Sequence, residues 1–211
     1  MTTAIRNTVI VAFIVLAGFI VATSIAHAAG TPPTTAPGLN KLQCFDGNGG
    51  TCTLSGPGAK GSATLDLTAA PQDGGSFAGV YTLESTIYNQ LLTNITQLSY
   101  HYTGTIAPQP GNLSYNIPID ANADGTTDAY AFIDAFYCPG TAGTVDIIHD
   151  ANCGIYDGGV TFYPNWATFI AAYPGAKVAN DQYVFVVAER TPSEPAAVWT
   201  VNNVKFAKGG K

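Results

Sequence analysis

The sequence predicts an all-β fold, a β-sandwich of jelly-roll type with one or two short helices. Three observations lead there. Apolar residues alternate with period two in successive runs, and clusters of Gly, Pro, Asn and Asp separate those runs. No helical pattern recurs between them to build βαβ units.

Each run can be read in turn. Ala63 to Thr68 puts Ala63, Leu65 and Leu67 on one face and polar groups on the other. Gln72 to Gly75 is a turn, and Ser76 to Leu83 is the next strand. Leu98 to Ile106 sets Leu98, Tyr100 and Tyr102 against Ser99, His101 and Thr103. Leu113 to Ile119 alternates Leu113, Tyr115, Ile117 and Ile119; Pro118 lacks an N–H, which predicts an edge position or a bulge. Ala129 to Tyr137 is apolar on both faces, as in a central strand of a layered protein. Val145 to Ile148, Val160 to Phe162, Tyr183 to Ala188 and Val198 to Phe206 complete the set.

One segment breaks the pattern. Trp166, Phe169, Ile170 and Tyr173 follow helical spacing, with Asn165 as N-cap and Pro174-Gly175 as stop. This predicts a two-turn helix whose aromatic face plugs one end of the sandwich. Ser85 to Leu92 reads as a second short helix or a loop.

The N-terminus reads as an export signal over residues 1–28. Arg6 precedes an apolar run from Val9 to Ala22, and Ala26-His27-Ala28 supplies a small-x-small cleavage site. The alternative is an uncleaved anchor over 9–25, at the lower edge of the roughly 17–25 residues that span a bilayer. Residues 29–43 hold Pro and Thr without apolar period and read as an extended spacer. The domain proper is expected at 44–206, with a flexible tail at 207–211. Either way the domain works outside the cell.

Charge is sparse and acidic, with 8 Lys and Arg against 14 Asp and Glu. No basic cluster is present, which argues against nucleic acid as a partner. Four cysteines, an even count, fit an oxidising compartment. The cost of loop closure favours the local pairs Cys44–Cys52 and Cys138–Cys153. Neither CxxC spacing nor a nearby His supports a metal site at these cysteines.

Asp120 to Asp128 (DANADGTTD) has the chemistry of a calcium loop. Side-chain oxygens recur at Asp120, Asn122, Asp124 and Asp128, Thr126 can offer its carbonyl, and Gly125 permits the sharp turn. The EF-hand's last ligand is absent, because Ala131 stands where a bidentate Glu belongs. The nine residues instead resemble the DxDxDGxxD loops of extracellular proteins with thrombospondin type 3 and dockerin-like repeats. That resemblance implies a structural calcium.

Signals for catalysis are weak. His101 and His149 stand in no nucleophile or zinc motif, and the three glutamates are Glu84, Glu189 and Glu194. Glu84 and Glu189 follow predicted strands and could face a common surface, as could Asp66 or Asp134. Tyrosine is abundant, and Tyr100, Tyr102, Tyr115 and Tyr156 are the candidate ligand contacts, since phenol rings stack on sugars and offer a hydroxyl. Asn94-Ile-Thr96 and Asn112-Leu-Ser114 are glycosylation sequons.

The closing run Trp199 to Phe206 (WTVNNVKF) resembles the last strand of carbohydrate-binding and galactose-binding-like jelly rolls. The resemblance implies a binding role and assigns no ligand residue. The expectation is a secreted, non-catalytic, calcium-stabilised sandwich that binds a polysaccharide or another cell-surface component. The alternatives are a self-associating subunit of an extracellular filament or coat, and a small secreted glycoside hydrolase.

Overall fold

The structure is a computed structural model and describes residues 42–55, 61–72, 74–82, 86–140, 143–158 and 161–208. The expected signal, the spacer up to residue 41, and Glu84 lie outside the described residues. No helix among the described residues is long and apolar enough to cross a membrane.

Two antiparallel sheets pack face to face, as the period-two runs predict. The larger has eight strands. Its main order is β1 (Leu42–Gly47), β4 (Ser76–Thr82), β12 (Phe185–Arg190), β6 (Leu113–Asp120), β7 (Ala129–Asp134), β9 (Ile155–Asp157) and β10 (Phe162–Tyr163). The eighth strand, β11 (Lys177–Val178), pairs with the end of β6. The smaller sheet runs β2 (Thr51–Ser55), β3 (Ser62–Leu67), β13 (Ala197–Lys208), β5 (Ile95–Gly104) and β8 (Thr144–Asp146). Short 3-10 turns lie at Leu92–Asn94 and Ala135–Tyr137.

The alternating residues meet between the sheets. Ala63, Leu65, Leu67, Trp199 and Val201 from one layer and Val80, Leu113, Ile117 and Ile133 from the other are buried. In β13 the period shifts: Trp199 and Val201 are buried, then Val204 and Phe206. A bulge between Asn202 and Lys205, with Asn203 at φ 50°, supplies the extra residue that keeps both halves facing inward.

The helix forms where its spacing places it. α1 (Trp166–Ala172) starts at Asn165, whose side chain accepts from the Thr168 N–H at 3.0 Å. Trp166 and Phe169 are buried.

Three expectations need correction. Pro118 does not sit on an edge strand: β6 lies between β12 and β7. β12 pairs with β6 only up to Asn116, and β11 takes over at Ile119, so the proline falls where one neighbour hands over to the next. Second, the segment around Cys44 and Cys52 is not merely a stapled loop. Leu42 and Gln43, assigned to the spacer, begin β1, and Leu42 is buried. Third, β13 runs to Lys208, two residues into the expected tail.

Both cysteine pairs form as the local pairing predicts, with Cα–Cα distances of 5.6 Å for Cys44–Cys52 and 4.0 Å for Cys138–Cys153.

Candidate functional site: the outer face of the larger sheet

A sheet that faces water on one side should alternate apolar with polar residues. The larger sheet does not. On β7, Ala131 and Ile133 point into the sandwich, and the outward set is Tyr130, Phe132 and Asp134. On β12 the outward set is Phe185, Val187 and Glu189, and on β4 it includes Phe77 and Tyr81. A second apolar cluster therefore forms outside the main core. Phe185 and Val187 are buried in it beneath Phe45, Phe77, Tyr81 and Tyr130.

The rings are continuous across the sheet. Phe45 lies 6.2 Å from Phe77 and 5.7 Å from Phe185, and Phe185 lies 6.2 Å from Tyr130. Tyr130 adjoins Phe132 at 5.9 Å, and Phe132 is in register with Tyr156 on β9. Tyr156 contacts Phe162 at 4.9 Å and Tyr137 at 5.6 Å. Most of these rings are half-buried, while Phe162 and Phe136 are 47% and 46% exposed. Glycine lets two of them lie against the backbone. A Cβ on Gly79 would come within 2.4 Å of the Phe45 ring, and one on Gly154 within 2.4 Å of Phe162.

Polar groups sit among the rings. Asn116 is 1% exposed and lies in register between Phe132 and Phe185. Its Nδ2 donates to Ser114 Oγ at 2.9 Å, and its Oδ1 has no partner among the described residues. Turning the amide over would satisfy the oxygen and orphan the nitrogen, so one end stays unpaired in either orientation.

Two carboxyl groups complete the face. Asp134 is 6% exposed, and its oxygens accept the N–H groups of Gly111 and Phe136, the latter at 2.9 Å. Burial pushes its carboxyl up to about 7, against the lowering effect of those two donors. Glu189 is half-buried. Burial first, and then the Glu194 and Asp134 carboxylates, push it up to about 8. Burial also pushes the Tyr156 hydroxyl up to about 12, with its bond to Tyr137 acting in the same direction.

The candidate tyrosines divide. Tyr156 belongs to the band. Tyr100 and Tyr115 do not, and their assignment as ligand contacts is corrected: both are 0% exposed and stack 6.0 Å apart between the sheets. They follow the inward period of β5 and β6, which a ligand cannot reach. Tyr102 is partly buried on that same inward side, 6.0 Å from Trp199. Asn112 of the second sequon is buried, and its Oδ1 accepts the Gln109 N–H at 2.9 Å.

The Asp120 to Asp128 loop is closed by its own hydrogen bonds. Asp120 is buried and accepts from the N–H groups of Asp124 at 3.1 Å and Gly125 at 2.9 Å. Asn122 Oδ1 accepts from the Asp124 N–H at 2.9 Å. Asp124 accepts from the Thr126 hydroxyl and N–H, which hold its carboxyl below the ordinary value. Asp128 accepts from the Ala121 N–H at 2.8 Å. Among the described residues no three acidic, His or Cys side chains group so as to hold a metal. Calcium needs six to eight converging oxygens, and here the loop's side-chain oxygens accept its own N–H groups.

Sequence reasoning missed Phe45, Phe77, Phe132, Phe162 and Phe185 as site residues. The available signal was strands apolar on both faces: AYAFID, read as the mark of a central strand, and FVVAER, read simply as a further strand.

No family model and no curated protein matches the chain. Among solved structures, the chain is similar to the xyloglucanase domain of NopAA, a type three effector from Sinorhizobium fredii, in complex with cellobiose. That match has a TM-score of 0.30 and 10% identity, over 83% of this chain and 91% of that one.

Proposed function

We propose that this domain binds an extended glycan on the outer face of its larger sheet. The observation that carries the reading is the aromatic band from Phe77 and Phe45 to Phe162, on a face where a solvated sheet would place polar residues. The seven strands of the main order span roughly 30 Å at the usual strand spacing, room for a row of sugars. A ring whose hydroxyls are all equatorial shows only C–H groups on its two faces, and these stack on aromatic rings. β-1,4 linkage keeps successive rings nearly coplanar and so suits a broad, shallow platform. The hydroxyl edges need partners, which the half-buried Tyr81, Tyr130 and Tyr156 offer through their phenol groups. The two disulfides fit an oxidising compartment outside the cell.

Titration calorimetry of the domain with a hexamer of β-1,4-linked glucose tests this. Wild type binds, and Phe162→Ala, an exposed position, weakens binding roughly three- to tenfold without lowering the melting temperature. If neither this hexamer nor β-1,4-linked N-acetylglucosamine or mannose oligomers bind, the reading fails.

A further inference from the structure

Glu189 on β12 and Asp134 on β7 both stand on the aromatic face, with only β6 between their strands. Asp134 is in register with Ser114, and the Glu189 N–H donates to the Asn112 carbonyl at 3.1 Å, a two-residue stagger along β6. Two strand spacings put the backbones about 10 Å apart across the sheet. Packing alone does not call for either group on an aromatic surface, where an ionised carboxylate is costly.

We propose that Glu189 and Asp134 are the general acid and general base of an inverting glycoside hydrolase acting on a β-1,4-linked chain. The proposal goes beyond binding and rests on the glycan reading of this face. The intervening strand and the stagger along β6 together put the backbones about 12 Å apart, which places the pair on the wide, inverting side. Inverting pairs stand about 6.5–9.5 Å apart to seat a water beside the sugar, whereas retaining pairs stand about 5–5.5 Å apart.

The surroundings assign the roles. Glu189, with the carboxylates of Glu194 and Asp134 facing it, is the group that keeps its proton. The guanidinium of the adjoining Arg190 is turned to the carbonyls of Leu67, Ala69 and Glu194. Asp134 receives two backbone N–H groups that support its anion. Besides Glu189, the ionisable groups near it are Tyr100, Tyr102 and Tyr156.

In the step, a water oxygen attacks the anomeric carbon while Asp134 takes one of its protons. The glycosidic C–O bond breaks, its electron pair goes to the leaving oxygen, and that oxygen takes the Glu189 proton. Exchange with solvent then resets both carboxyls. Activity requires Asp134 ionised and Glu189 protonated, so the rate peaks between the two titrations, at about 7 and about 8.

The experiment incubates the domain with the β-1,4-linked glucose hexamer and follows new reducing ends and their anomeric form by proton NMR. Wild type releases ends first seen as the α anomer, with a narrow pH optimum. Glu189→Gln loses roughly 10²–10⁴-fold in rate, far more than it loses in binding of the hexamer. Asp134→Asn does the same, its melting curve showing that it is folded. If wild type binds the hexamer but cleaves it no faster than Glu189→Gln, the hydrolase proposal falls and the binding reading stands. If the first product is the β anomer, the inverting assignment falls. If the hexamer is not bound at all, the underlying glycan reading falls with it.

Discussion

Cys44 on β1, an edge strand of the larger sheet, is bonded to Cys52 on β2, an edge strand of the smaller one. The bridge closes the sandwich along one side, and the Asp46 carboxylate supports the same corner by accepting the Cys52 N–H at 2.7 Å. A loop with a sequence separation of 8 constrains the unfolded chain by about 2–3 kcal/mol in the chain-entropy model. The double variant Cys44→Ser/Cys52→Ser should lose about that much, read as a lower urea midpoint with a slope no shallower than wild type, since the unfolded chain loses its crosslink. An unaltered midpoint would show that the strand pairing alone closes this side.

The two raised carboxyls set a pH dependence of stability. Their ordinary values are 3.8 for Asp134 and 4.5 for Glu189, and in the folded protein they hold their protons to about 7 and about 8. Between those limits the unfolded chain binds fewer protons than the folded one, so stability falls as pH rises. The contribution is complete below about pH 4 and gone above about pH 8. Urea midpoints from about pH 5 to about pH 8 should decline, and Glu189→Gln should flatten the upper part of that decline. A variant with the wild-type slope would mean that Glu189 titrates normally.

Asp120 anchors the 120–128 loop through the Asp124 and Gly125 N–H groups. Asp120→Ala leaves the Gly125 N–H without its acceptor and the Asp124 N–H with Asn122 Oδ1 alone, at a cost of about 1–2 kcal/mol. Asp120→Asn keeps part of it. Wild type should melt within about 1 °C in chelator and in millimolar calcium, since binding to the folded state alone stabilises. A calcium-dependent rise of several degrees would restore the ion that the loop sequence suggests.

Much of the fold is legible in the chain. Leu65 and Leu67, Leu113 to Ile119, and Trp199 and Val201 alternate at period two, and a one-residue slip would expose an entire set. That requirement writes the sandwich and its inner face into the sequence. The helix after Asn165 was equally plain, because N-cap, apolar spacing and stop all agree locally. Loop closure made the disulfide pairs readable for the same reason: the cost depends on separation along the chain.

The site was not legible, because it is made by neighbours across strands. Tyr115 and Tyr156 are the same residue type with similar local context, yet register puts one between the sheets and the other on the outer band. Phe45, Phe185, Phe132 and Phe162 come from four strands far apart in sequence, and only the strand order makes them one surface. Glu189 and Asp134 meet on that surface in the same way, through β6 alone. The sequence by itself determined the layers, the staples and which residues alternate. The tertiary structure decided which second face is apolar and which carboxyls share it, since cross-strand adjacency is set by pairing order and not by local pattern.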